Sequence, residues 1–248
     1  MFAHQRRQIG RWRWSATALM FALLACLALA ACGAATPTQH PSSDAGRDAP
    51  GLRLVVMGAS DAYGVGTYDL DRQNWPARLA DDLPQPVHLV NLGIPGATMA
   101  QGRQEELPIA LAQHPQVVVL WLAVNDIIER VPLASYSADL RAILAAFKEE
   151  SPATQVFVGN VPDLTQLPFF GSYDPVQLSA QISAWNVAIA QDCAAEGATL
   201  ADLASGWGRL GDHPEYVSRD GLHPSPLGAL ELAAFFDIVI RQTLHLND

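Results

Sequence analysis

Ser60 stands in Gly58-Ala59-Ser60-Asp61, directly behind the apolar run Leu54-Val55-Val56-Met57. Far downstream, Asp220-Gly221-Leu222-His223-Pro224 places a carboxylate and an imidazole three residues apart. A hydroxyl, an imidazole and a carboxylate are the parts of nucleophilic acyl transfer. Serine is a weak nucleophile until a base takes its proton. One ring nitrogen of His223 can do this, and the other needs an acceptor to fix the tautomer and stabilise the imidazolium. Asp220 is close enough in sequence to be that acceptor, folded back by a turn at Gly221. Taken alone, Asp220 and His223 read more readily as a polar turn ahead of a helix.

Acyl transfer also creates an oxyanion that needs hydrogen-bond donors. Two further polar blocks each follow an apolar run: Asn91-Leu92-Gly93-Ile94-Pro95-Gly96-Ala97-Thr98 and Ala123-Val124-Asn125-Asp126. The Ser60 N–H is one candidate donor. Gly93 is a second, because a glycine lets backbone come close to substrate. The Asn125 amide is a third. Read singly, Gly93 is also a turn residue and Asn125 also a helix cap.

The four blocks, in this order, resemble the SGNH (GDSL-type) family of esterases, lipases and deacylases over roughly residues 52–244. The resemblance implies a three-layer α/β/α domain with a five-stranded parallel sheet of flavodoxin-like type. It also implies Ser60 as nucleophile, His223 and Asp220 as base and orienting acid, and Ser60, Gly93 and Asn125 as oxyanion donors. No cofactor is implied. The first block here reads Gly-Ala-Ser-Asp where the family commonly has Gly-Asp-Ser-Leu, and Ala123 stands where glycine is usual.

Other chemistries fit less well. The α/β-hydrolase elbow needs G-x-S-x-G, but Ala62 occupies the last position. Gly64-Val65-Gly66 lacks both the Gly-Lys-Ser/Thr of a phosphate loop and the third glycine of a dinucleotide loop. No cluster of histidines, cysteines and acids has metal-ligand spacing.

These residues need a scaffold. Five apolar runs, at 52–57, 87–92, 117–122, 155–159 and 199–203, alternate with helical patterns. Their Val/Leu content without clean alternation suits strands covered on both faces. Leu178, Ile182, Trp185, Ile189 and Cys193 trace one helical face, with Asp174-Pro175 to start it and Gly197 to stop it. Leu140, Ile143, Leu144 and Phe147 mark another helix, closed by Ser151-Pro152, and Ser225-Pro226 opens the last one. Alternating β and α segments predict a parallel sheet with helices on both faces. Ser60, Gly93 and Asn125 then share the C-terminal edge of the sheet, where open α/β sheets bind ligands. Asp220 and His223, after the last strand, can reach the same edge.

The first 31 residues carry Arg6, Arg7, Arg11 and Arg13, no acid, and an apolar stretch at 16–31. That stretch falls short of the roughly 20 residues of a membrane span and reads as a secretory signal. Leu29-Ala30-Ala31-Cys32 resembles a bacterial lipobox, which makes Cys32 the expected lipidation site; the alternative is ordinary signal cleavage nearby with Cys32 a bystander. Residues 32–51, rich in Ala, Pro, Ser, Thr, Gly and Asp, read as a flexible tether. The expected organisation is thus signal 1–31, tether 32–51 and hydrolase domain 52–248. Without the leader, eleven basic residues face twenty-five acidic ones, a net charge of −14. Such a surface argues against nucleic acid as a partner and leaves membrane contact to the lipid. Cys193 would be the one free thiol.

The expectation is a monomeric esterase, anchored outside the cytoplasm of a bacterium, that cleaves short-chain acyl esters through an acyl-enzyme. The connections are mostly short, and a lid over a deep acyl tunnel needs a loop beyond about 12–15 residues. The segment 161–175 is the exception, and Leu167-Pro168-Phe169-Phe170 within it offers an apolar wall. The alternatives are a thioesterase or lysophospholipase, a glycan O-deacetylase, or a catalytically silent lipoprotein that binds glycan or lipid in the same cleft.

Overall fold

The computed structural model describes residues 51–207 and 210–246. The expected signal, Cys32 and the tether up to residue 50 lie outside the described residues.

Five strands form one parallel sheet: β1 (Leu52–Gly58), β2 (Val87–Asn91), β3 (Val117–Trp121), β4 (Gln155–Gly159) and β5 (Thr199–Ala201), in spatial order β2-β1-β3-β4-β5. This is the doubly wound order whose reversal of direction lies between β1 and β3. The register pairs Gly58 with Trp121, so the two central strands end side by side. β3 is buried throughout and β1 nearly so, as expected of strands covered on both faces. β2, at an edge, is only half-buried.

The helices are α1 (Ser60–Tyr63), α2 (Trp75–Asp82), α3 (Met99–Gln101), α4 (Leu107–Ala112), α5 (Val124–Ile128), α6 (Leu133–Glu150), α7 (Pro175–Glu196), α8 (Leu203–Gly206) and α9 (Pro226–Leu244). α2 packs on α9, and α6 packs on α7, α3 and α4. On the first side Trp75 stacks on Phe236 at 4.9 Å, and Trp121 meets both rings edge-on. On the second side Tyr136 lies 4.5 Å from Trp185 and donates its hydroxyl hydrogen to the Leu122 carbonyl at 2.8 Å. Each such aromatic contributes roughly 2–3 kcal/mol by leaving water, so the middle of the sheet is the most firmly held part of the molecule.

The predicted caps are in place. Asp174 accepts from the N–H groups of Val176 and Gln177, and Gly197 ends α7 in the left-handed region. Ser225 accepts from the Gly228 N–H at the start of α9. Where the sequence suggested strand to residue 203, β5 stops at Ala201. There Asp202 takes the Asn160 amide and the Ser205 hydroxyl, and Leu203 starts α8.

Candidate active site

Ser60 is the first residue of α1, and its N–H lies at a helix start where no intrahelical acceptor exists. The turn is short because Ala62 and Gly93 allow close packing: a Cβ on Gly93 would stand 2.7 Å from the Tyr63 nitrogen and 2.9 Å from Ala62 Cβ. Behind Ser60, the Gly58 carbonyl accepts from Ile94 and the Gly58 N–H donates to Glu106 Oε2 at 2.9 Å. Ahead of it, Asp61 Oδ2 accepts the Trp75 indole N–H at 2.8 Å. The Asn91 amide grips the Ala62 carbonyl at 2.7 Å. Gly58, Asp61 and Ala62 are thus each tied down by a bond to a residue distant in sequence.

His223 Nε2 lies 2.8 Å from Ser60 Oγ, and His223 Nδ1 lies 2.7 Å from Asp220 Oδ2. Burial works against a charged Asp220, but the Leu222 and His223 N–H groups and the His223 and Ser218 side chains outweigh it. They hold its carboxyl well below the usual carboxylate range. Asp220 therefore stays anionic and can fix the imidazole tautomer. The loop is pinned from outside by two contacts. Phe169 donates its N–H to the Gly221 carbonyl at 3.1 Å. Gly66, with φ +98°, approaches so closely that a Cβ would press into the Pro224 carbonyl and stand 2.9 Å from His223 Cβ. No side chain fits there, and that φ favours glycine. Gly64-Val65-Gly66, which failed as a phosphate loop, is the buttress between the Ser60 helix and the His223 loop.

Asn125 reaches the site from α5. Its amide gives one hydrogen to the Ala97 carbonyl at 2.9 Å, and a second hydrogen remains. The next residue, Asp126, is buried and accepts the Met99 N–H at 2.9 Å. Burial pushes its pKa up to about 6. Together these bonds lock α5 to residues 97–99. Ala123 has φ −176°, extended backbone open to any residue, so the missing family glycine leaves no strain.

The structure does not bring Gly93 into the donor set as expected. Its N–H is already given to Asn91 Oδ1 at 3.1 Å. Gly96 differs. It is exposed, has φ +84°, makes no hydrogen bond through its N–H among the described residues, and adjoins the Ala97 that holds Asn125. The Pro95-Gly96 dipeptide, a turn signal, was the clue.

Ser60, Asn125 and His223 open into one cleft walled by Trp121, Leu122, Leu164, Leu167, Trp207, Leu210, Val217 and Leu222. Its free volume is ≈60 Å³, a few times the 10–15 Å³ or so that admits one water. Leu167 joins the wall, as its loop position suggested, and Phe170 is buried beneath while Phe169 is exposed. Asp163 caps its own turn through Thr165 and Gln166. Cys193 is buried on α7, and burial pushes its thiol up to about 12.

The fold and the site can now be compared with known proteins. TesA is 26% identical over 77% of this chain and 99% of its own, with a TM-score of 0.61. The acetyl xylan esterase AlAXEase is 16% identical over 76% and 100%, with a TM-score of 0.61. The psychrotrophic esterase EstA from a Pseudoalteromonas species, solved with monoethylphosphonate as inhibitor, is 17% identical over 78% and 99%, with a TM-score of 0.59. No curated protein matches this chain. The sequence profile of the GDSL-like lipase/acylhydrolase family matches residues 56–229, which include every residue of the cleft. This chain belongs to the GDSL-like lipase/acylhydrolase family and is an ester hydrolase.

Proposed function

We propose that the protein is a serine esterase acting through an acyl-enzyme on short-chain acyl esters, tethered by lipid at Cys32 outside the cytoplasm. The unbroken relay from Ser60 Oγ through His223 to Asp220, at 2.8 and 2.7 Å, carries this reading. His223 Nε2 takes the Ser60 proton as Oγ attacks the ester carbonyl. The resulting oxyanion is met by the Ser60 N–H, the second hydrogen of the Asn125 amide and the Gly96 N–H. His223 then protonates the departing alkoxide. In the second half it deprotonates water, which releases the acid and regenerates Ser60. The residues present supply nucleophile, base and donors, and the scheme uses no cofactor.

The cleft's small free volume favours an acyl group between acetyl and about hexanoyl. An acetyl-to-palmitoyl series of p-nitrophenyl esters, assayed on wild type and Ser60→Ala, tests this. A maximum of kcat/KM at short chains, absent in the variant, supports it. A maximum at palmitate, or strong lysophospholipid turnover, points to the lipase-type reading. The lipid anchor is supported by the basic, apolar leader before Cys32. Two or more acyl chains hold a protein firmly at a membrane. Cys32→Ser should release it into the soluble fraction, and retention on membranes would overturn the anchor.

A further inference from the structure

Glu106 is 1% exposed, yet neither arm of the relay touches it. One carboxyl oxygen accepts the Gly58 N–H at 2.9 Å, and the other has no partner among the described residues. A buried polar atom without a partner is costly, so a leucine here would pack more cheaply. The residue is delivered by a π-turn, Gly102–Glu106, that interrupts the path from α3 to α4 and packs against β1. Single π-turns inside helices are unfavourable and concentrate at functional sites.

Building on the hydrolase reading, we propose that Glu106 is a positioning residue that fixes the nucleophile turn through the Gly58 N–H. Gly58 is two residues before Ser60. With its carbonyl held by Ile94 and its N–H held by Glu106, the end of β1 cannot rotate. The direction in which the Ser60 N–H and Oγ leave the strand is then fixed before substrate arrives. Preorganised donors of this kind are the largest single contribution to many acyl-transfer reactions.

The carboxyl is held neutral at pH 7. Burial, aided by the charges of Asp61 and Glu105 and opposed by the Gly58 N–H, pushes its pKa up to about 8. The charged groups around it are few. Asp61 stands on α1, Glu105 and Arg103 share its own turn, and Arg103 is paired with Asp139 of α6 at 3.1 Å. α3 and α4 carry no charged side chain, and Arg53 of β1 is bonded to the His114 carbonyl at the far end of the strand. Ionisation of Glu106 therefore adds a second negative charge that repels Asp61 across the nucleophile turn. Turnover should fall as pH rises through about 8.

The test compares wild type, Glu106→Gln and Glu106→Leu. The Gln amide oxygen still accepts from Gly58 and cannot ionise. It should keep kcat near the wild-type value at pH 7 and hold it at pH 9, where wild type loses several-fold. The Leu variant should lose about tenfold in kcat at unchanged KM, the effect of one lost hydrogen bond. Hydrogen exchange of the segment 57–60 reads the positioning without turnover: it should quicken in the Leu variant alone. A Leu variant with wild-type kcat and exchange, or a Gln variant that keeps the alkaline loss, would overturn the proposal. Normal protection at 57–60 with no Ser60-dependent hydrolysis by wild type would overturn the hydrolase reading instead.

Discussion

Ser60 and His223 touch, yet their surroundings are built differently. Ser60 leaves the end of a central strand. Its neighbours are fixed by side chains far away in sequence: Glu106 on Gly58, Asn91 on Ala62 and Trp75 on Asp61. These partners are largely withdrawn from water. His223 sits in a loop after β5 whose bonds are almost all internal. Asp220 Oδ1 alone accepts from Ser218, Leu222 and His223, and 43% of the Asp220 side chain is exposed. Ser60 and Asn125, the proposed nucleophile and side-chain donor, are thus held by long-range bonds, and His223, the proposed base, by a self-contained turn docked onto them through Gly66 and Phe169. A serine must meet its donors within a fraction of an ångström, whereas a base that approaches from outside needs only one good hydrogen bond.

The comparison can be broken first at the shared contact. Ser60→Ala and His223→Ala should each remove nearly all ester hydrolysis, on the order of 10⁴-fold or more, with an unchanged circular dichroism spectrum. The double variant should be little worse than either single, because members of such a unit are not additive. A folded Ser60→Ala protein with normal turnover would end the account.

Next in size is the core-borne donor. Asn125→Ala should lose about 10²–10³-fold in kcat, the effect of one oxyanion donor. A change confined to KM would make Asn125 a substrate-binding group. Gly66→Ala acts on the docking between the two regions. It should cost about tenfold in kcat and lower Tm, since an L-residue is strained at φ +98° and its Cβ collides with the His223 loop. Ser218→Ala touches the loop alone. It should cost only a few-fold and leave Tm unchanged, because Asp220 keeps both backbone donors and His223.

The two regions should also answer pH with opposite signs. Glu106 and Asp126 have folded-state pKa values raised by burial to about 8 and about 6 from ordinary values of 4.5 and 3.8. A raised carboxyl stabilises the folded state fully below its ordinary value and loses that contribution as pH rises through the folded one. Asp220 is held below 3.8. Its contribution is present above that value and is lost as pH falls. Tm should therefore decline between about pH 5 and 9, and Glu106→Gln should flatten the upper part of that decline. A Tm that rises across this range in wild type would show these buried acids to be ionised at no cost.

The same division separates what the sequence revealed from what it hid. Asp220 and His223 are three residues apart and meet through one turn, so their partnership is a local property that spacing alone displays. The sheet, its five strands and the helix caps are also local patterns, in hydrophobic runs and in Asp174, Gly197 and Ser225. The supports of Ser60 are not local. Glu106 is 48 residues from Gly58 and Asn125 is 28 from Ala97. No periodicity marks a glutamate that turns inward from a helical segment. Gly93 misled for a related reason. Two glycines in one loop satisfy the same argument about backbone approach, and only the hydrogen bond that Gly93 donates to Asn91 Oδ1 shows that its N–H is taken, while Gly96 makes none through its N–H among the described residues.

The central claim, that His223 activates Ser60, is tested most directly by covalent capture. Treatment with a fluorophosphonate, followed by peptide mass mapping, should find a single phosphonyl group on Ser60 in wild type. It should find none there in Ser60→Ala, and a labelling rate at least about 10³-fold lower in His223→Ala, since the hydroxyl needs its base to react. Equal labelling of wild type and His223→Ala, or a label on any other residue, would contradict it.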